Sequence, residues 1–132
     1  MKKIKHVFLA AALSCLAQFV QAQTAPAILW QKSLGGSGGD EANSIQQTAD
    51  GGYIVAGSSI STDGDVTRNH GSYDFWVVKL NSHGDTVWQK SMGGTGLDAA
   101  KSISQTADGG YIVAGLTWSY DGDVIGLSLI HI

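Results

Sequence analysis

His70, Ser72 and Asp74 fall within one five-residue stretch, and they are the residue types of a hydrolytic triad. In such a triad the histidine takes a proton from the serine hydroxyl, and the aspartate orients the histidine. These residue types are also common in loops, and close spacing along the chain does not fix their geometry. We therefore expect no catalytic residue here. His83 lies in a separate turn, and neither histidine has a cysteine or second histidine at the spacing of a zinc site.

Two Asp-Gly-Asp segments could supply oxygen ligands to calcium. They contain Asp63 and Asp65, and Asp121 and Asp123. Calcium takes about six to eight oxygens, and the EF-hand loop adds further acids and a closing glutamate that neither segment has. Asp also favours turns. We predict structural turns and no cofactor, with these four aspartates kept only as candidate calcium ligands.

The strongest pattern in the sequence is an internal repeat. The segment Gln47–Gly57 recurs unchanged as Gln105–Gly115, at an offset of 58 residues. Residues 30–66 align with residues 88–124 without a gap, and 27 of the 37 positions are identical. Self-similarity at a fixed period of this length is typical of solenoids, propellers and arrays.

Each period contains four short apolar or alternating segments separated by Gly and Asp turns, which predicts an antiparallel meander. The leading helix candidate, 97–103, is short and is interpreted as the entry to a strand. Tyr53–Ala56 is almost wholly apolar, which favours a sheet covered on both faces. The predicted strands are Ala42–Thr48, Tyr53–Ala56 (ended by Gly57), Asp74–Leu80 and Thr86–Met92, with a further strand at Trp30.

The predicted fold class is all-β, a partial β-propeller built from four-stranded antiparallel blades with a 58-residue repeat. Residues 30–126 would supply fewer than two blades, so neighbouring blades must come from elsewhere. The strand at Trp30 has no partner before it, so we expect the repeats to begin part-way through a blade.

The first 22 residues have the order of a secretory signal peptide. Lys2, Lys3 and Lys5 precede an apolar run that ends in Val20-Gln21-Ala22, a small-residue cleavage pattern. We expect cleavage after Ala22 and a lead-in at 23–29. Lipoprotein processing at Cys15 is the alternative. The mature chain would have no cysteine and no transmembrane segment, and it would be secreted or associated with the outer membrane at the cell surface.

The second copy follows the first to Val124 and then diverges. Residues 127–132 resemble the translation of a transposon adapter used in sequencing libraries, and we expect this tail to be non-native. A short natural strand is the alternative. On the first interpretation, no strand equivalent to Asp74–Leu80 follows the second copy.

Charge excludes one large class of partner. The formal net charge is −3 and becomes −6 when the predicted signal peptide, with its three lysines and no acid, is removed. Nucleic-acid binding needs clustered lysine and arginine to displace counterions from phosphates. We therefore expect no nucleic-acid partner.

Four phrases carry a family resemblance. They are Trp-Gln-Lys-Ser-Leu-Gly-Gly at 30–36, Asp-Gly-Gly-Tyr-Ile-Val-Ala-Gly at 50–57, Asp-Gly-Asp-Val at 63–66, and Asp-Phe-Trp-Val-Val-Lys-Leu at 74–80. Together they resemble the propeller-type repeats of secreted and surface proteins of Bacteroidota, many of which are similar to type IX secretion cargo. The chain resembles a truncated member, because residues 1–132 do not include the sorting domain of such cargo. The resemblance implies no catalytic residues. The double glycine before a tyrosine strand is also loosely similar to kelch repeats.

Differences between the two copies indicate where a ligand could bind. Trp30 and Trp88 are equivalent and are expected to pack between blades, whereas Trp118 replaces Ile60 and Tyr120 replaces Thr62. We predict a non-enzymatic exported module that binds a protein or glycan at the cell surface through Trp118 and Tyr120. The alternative is a fragment of a secreted propeller enzyme, quinoprotein-like or a hydrolase, whose active site lies outside these residues.

Overall fold

A computed structural model describes residues 25–124 and 129–132, without the side chains of 129 and 130. The predicted signal peptide, the first two residues of the lead-in and the first two of the predicted tail lie outside the described residues. Strands account for almost all of the regular structure, so the all-β prediction is confirmed. None of the helices in the described ranges is long and apolar enough to cross a membrane.

The described residues contain seven strands. They are β1 Asp40–Gln47, β2 Tyr53–Ser59, β3 Asp74–Leu80, β4 Thr86–Met92, β5 Asp98–Gln105, β6 Tyr111–Thr117 and β7 Leu129–His131. They form two antiparallel sheets, sheet A with the order β1-β2-β3-β4 and sheet B with the order β5-β6-β7. A 3-10 turn, Gly122–Val124, follows β6.

The repeated phrase forms the β1–β2 and β5–β6 hairpins. In the first, Gly51 has a φ of 79°, a conformation that glycine adopts without a steric penalty. The Asp50 carboxylate accepts a hydrogen bond from the Gly52 amide at 3.0 Å and from the Lys79 ammonium at 2.9 Å. Hydrogen bonds from Thr48 and Lys79 lower the pKa of Asp50 well below its usual value. The turn thus also neutralises a buried lysine of β3.

The main core lies between the two sheets. It is formed by apolar side chains of both repeats, namely Ile54, Ala56, Phe75, Val77, Met92, Ala100, Ile103, Tyr111 and Val113. Trp88 of β4 packs on Tyr111 of β6, with ring centroids 5.9 Å apart. The Gln46 side-chain oxygen accepts a hydrogen bond from the Gln105 amide at 2.8 Å, which ties β1 to β5. A smaller cluster, Val66, Trp76, Val78 and Leu80, lies on the other face of sheet A.

The sequence predicts that Gly57 ends β2, and this prediction is wrong. The strand continues to Ser59, opposite a β1 that begins at Asp40 rather than at Ala42. A Cβ atom at position 57 would lie 1.7 Å from the Glu41 carbonyl oxygen. The glycine is therefore needed because β1, which is irregular between Ala42 and Ser44, approaches β2 very closely.

The expected strand at Trp30 does not form. Residues 25–36 are irregular, whereas the equivalent Trp88 lies in β4. The physical reason is the lack of a partner, because β4 pairs with β3 and no strand precedes Trp30 in the described residues. Trp30 still packs edge-on against Tyr53 at 5.6 Å.

The tail contains a short strand, which is the alternative in the sequence interpretation. The backbone of β7 pairs with β6, placing His131 opposite Ile112, as Lys79 stands opposite Ile54 in the first copy. Pairing follows from the free edge of β6, which offers unpaired backbone groups to any extended segment. The natural or foreign origin of these residues stays a prediction.

Candidate functional site

The loops at one end of the two sheets are held by an equivalent aspartate in each copy, half-buried Asp40 in the first and fully buried Asp98 in the second. Asp40 accepts hydrogen bonds from the Gly36 amide at 2.8 Å and from the Ser61 hydroxyl at 3.0 Å. Asp98 accepts the equivalent bonds from Gly94 at 2.9 Å and from Ser119 at 2.7 Å. Burial would raise the pKa of Asp40, but hydrogen bonds from Ser59, Gly36 and Ser61 outweigh it and hold the pKa below its usual value. These aspartates define the loop end of the module.

The candidate calcium ligands fasten the same loops. Asp63 accepts a hydrogen bond from the Ser37 amide at 2.7 Å, and Asp121 accepts one from the Thr95 amide at 2.8 Å. These backbone hydrogen bonds lower the pKa of both carboxyls.

The second aspartate of each segment has a different partner. Asp65 accepts a hydrogen bond from the Gly35 amide at 3.2 Å, and one Asp123 oxygen lies 3.8 Å from His70 Nε2. Within 25–124 and 129–132, no three side chains of metal-binding type come together. These hydrogen bonds account for Asp63, Asp65 and Asp121 as residues that hold the loops in place. The expectation of no cofactor, with calcium as the alternative, stays a prediction.

The His70–Asp74 pair suggested by the sequence does form. His70 Nδ1 lies 2.6 Å from an oxygen of Asp74, whose side chain is fully buried, and the His70 amide donates to the same oxygen at 2.9 Å. Burial raises the pKa of Asp74. The other Asp74 oxygen is buried without a hydrogen-bond partner. Ser72 contributes only its backbone carbonyl, which accepts from Asn69, so the third member of a triad is not supplied by Ser72.

Trp118 and Tyr120 lie at the loop end, directly after β6. Their side chains are 68% and 94% exposed, respectively. The Trp118 amide donates to the Leu97 carbonyl at 2.8 Å, which fixes the backbone while leaving the indole in solvent. Ile60, the equivalent of Trp118, is 38% exposed. At these two positions of the repeat, a large aromatic side chain is therefore presented to solvent in the second copy alone.

Trp118 also borders a cavity of about 270 Å³ at the junction of the two sheets. Its wall combines apolar, polar and charged groups, which are Glu41, Ser58, Tyr73, Leu97, Ala99, Lys101 and Leu116. Aromatic faces beside hydrogen-bonding groups are the usual elements of protein and sugar contacts. We call Trp118, Tyr120 and this cavity the Trp118 surface.

Sequence reasoning missed Tyr73 and Leu116 in this wall. Trp118 was singled out because the two copies differ at its position. The same comparison could have identified Leu116, because the first copy has Ser58 at the equivalent position. Tyr73 has no counterpart in the second copy's matching segment, so copy comparison carries no signal for it. Its place follows from the loop that brings it beside Gly39, where an added Cβ would meet its hydroxyl at 2.6 Å.

Comparison with known proteins identifies no family. No protein-family model matches the chain, and no curated protein matches it at a significant level.

Proposed function

We propose that this chain is a non-enzymatic, exported β-propeller repeat module that binds a protein or glycan at the cell surface through the Trp118 surface. The single observation that carries the binding role is the exposure of Trp118 and Tyr120, in contrast to the smaller residues of the first copy. Large exposed aromatics are costly to leave in water and are enriched at the centres of interfaces.

Three further features support the architecture and the location. Four antiparallel strands in sequential order make a sheet of the blade type, and sheet B stacks on it face to face. The signal-like order of residues 1–22 supports export. The enzyme alternative stays a prediction, because it places the active site outside these residues.

Titration of the full chain against a panel of polysaccharides and purified surface glycoproteins tests the binding role. We expect Trp118→Ala or Tyr120→Ala to weaken binding at least about tenfold, the loss typical of an aromatic at the centre of an interface. The matched control is Ile60→Ala, which truncates the equivalent position of the first copy and should leave binding unchanged. The proposal would be overturned if Trp118→Ala, Tyr120→Ala and Ile60→Ala all bound as tightly as wild type. It would also be overturned if the wild-type chain bound no member of the panel.

A further inference from the structure

The face of sheet A that points away from sheet B is apolar and only partly covered. We call it the Ile45 face, after a residue that is 63% exposed, whereas Trp76, Val78 and Leu80 of the same face are buried. It borders a cavity of about 420 Å³, whose apolar wall includes Trp30, Ile45, Val55, Trp76, Val78 and Leu80. A sheet normally buries such a face against another layer.

The residues of sheet B that are equivalent to the Ile45 face are already buried against sheet A. Ile103, Ala100, Tyr111 and Val113 of sheet B are at most 7% exposed in the core between the sheets. Their equivalents in sheet A are Ile45, Ala42, Tyr53 and Val55, and all four positions are identical between the copies. The Ile45 face is therefore a second copy of a surface that this chain demonstrably packs against a sheet.

The complementary surface is also present twice. Sheet A covers sheet B with the side that carries Ile54 and Ala56, both of which are fully buried. The equivalent residues of sheet B are Ile112 and Ala114, which are only partly buried. We call this side of sheet B the Ile112 face. One chain thus has the β1–β2 part of both halves of this interface incompletely covered, on opposite sides, although the described residues of sheet B include no counterpart of the buried Phe75, Val77 and Met92.

Two polar contacts of the existing interface can be repeated as well. Those of Gln46 and Asn43 cannot, because sheet B has Ser104 and Lys101 at these positions. The Ser44 hydroxyl accepts from the Ile103 amide at 3.3 Å, and the equivalent acceptor on sheet B is Ser102. The Gln105 side-chain oxygen accepts from the Ala49 amide at 2.9 Å, and the equivalent acceptor on sheet A is Gln47. Buried backbone groups of a docked sheet would therefore have hydrogen-bond partners.

We propose that a second copy of this chain docks head to tail, with its Ile112 face on the Ile45 face of the first. This contact uses two different surfaces, so it is heterologous and extends to chains or rings rather than stopping at a dimer. The docking of copies depends on the repeat geometry and not on ligand binding at the Trp118 surface.

Sedimentation equilibrium of the full chain, from low micromolar to submillimolar concentration, tests the docking. We expect the wild-type mass to rise beyond that of a dimer. Ile45→Lys and Ile112→Lys each place a charge on one of the two faces, and each variant alone should be monomeric. An equimolar mixture should form a 1:1 dimer and nothing larger, because one intact face remains on each partner.

Circular dichroism and the urea midpoint establish that both variants are folded, and Ala114→Glu replaces Ile112→Lys if that variant unfolds. A monomeric wild type, association of Ile45→Lys by itself, or a mixture that stays monomeric would each overturn the proposal. Glycan and protein binding by Trp118 is measured separately, so failure of one proposal leaves the other standing.

Discussion

Ile45 and Ile103 allow one substitution to be tested in two environments. They occupy the same position of the repeat, lie in equivalent strands and share the same flanking turn. Ile103 is 5% exposed between the sheets, whereas Ile45 is 63% exposed on the Ile45 face. Truncation of each to alanine changes the same atoms, so any difference in the free energy of unfolding comes from tertiary surroundings.

The expected magnitudes differ clearly. Truncating a buried isoleucine to alanine costs about 2–5 kcal/mol, because transfer energy is lost and a cavity remains. Ile103→Ala should therefore cost about 3 kcal/mol. Fully burying an isoleucine contributes about 1.5–3 kcal/mol, and only about a third of Ile45 is shielded, so Ile45→Ala should cost about 1 kcal/mol or less.

Urea unfolding followed by tryptophan fluorescence measures both free energies. The experiment is run at low micromolar concentration, where docking of copies does not contribute. Equal losses for the two variants, or a larger loss for Ile45→Ala, would refute the assignment of the core to the junction of the sheets. At high concentration the loss for Ile45→Ala should increase, because copies then cover that residue.

Two further predictions concern the strands and the pH dependence of stability. Gly57→Ala should lower the free energy of unfolding by about 2 kcal/mol or more in urea melts, because the added Cβ would collide with the Glu41 carbonyl. Ser104→Ala, at an exposed strand position, is the control. Equal urea midpoints for the two variants would contradict the close approach of the strands. The lowered pKa of Asp50 means that its contribution is complete above its unfolded value of about 4 and is lost as the pH falls below it. Asp50→Asn should be less stable than wild type at pH 7, because Lys79 then loses its charged partner. The difference between the urea midpoints of variant and wild type should become smaller towards pH 2, and a constant difference would contradict the prediction.

Much of the fold could be predicted locally. Asp74–Leu80 and Thr86–Met92 were predicted with the bounds they have, because apolar runs end at turn residues on both sides. The Asp50 turn was also predictable, since a glycine with positive φ was needed there. Gly57 misled the sequence interpretation, because a glycine that ends a strand and one that admits a neighbouring strand look the same in sequence.

The candidate surface was predicted only in part. Trp118 and Tyr120 were found because they differ from the first copy, and their exposure agrees with a contact role. The cavity wall formed by Tyr73 and Lys101 could not be predicted, since these residues are brought together only when sheet B stacks on sheet A. His70 and Asp74 were close in sequence, but the burial that raises the pKa of Asp74 depends on the surrounding sheets.

The sequence by itself determined the period, the strand order and the turns, because these depend on residue types within a few positions. The residue type is the same at Ile45 and Ile103, and at Val55 and Val113, so the sequence predicts the same burial for both members of each pair. Only the tertiary structure decided that one member of each pair is buried and the other is not. Burial requires a second layer, and a layer can lie on the Ile103 side only because another repeat stands next to it.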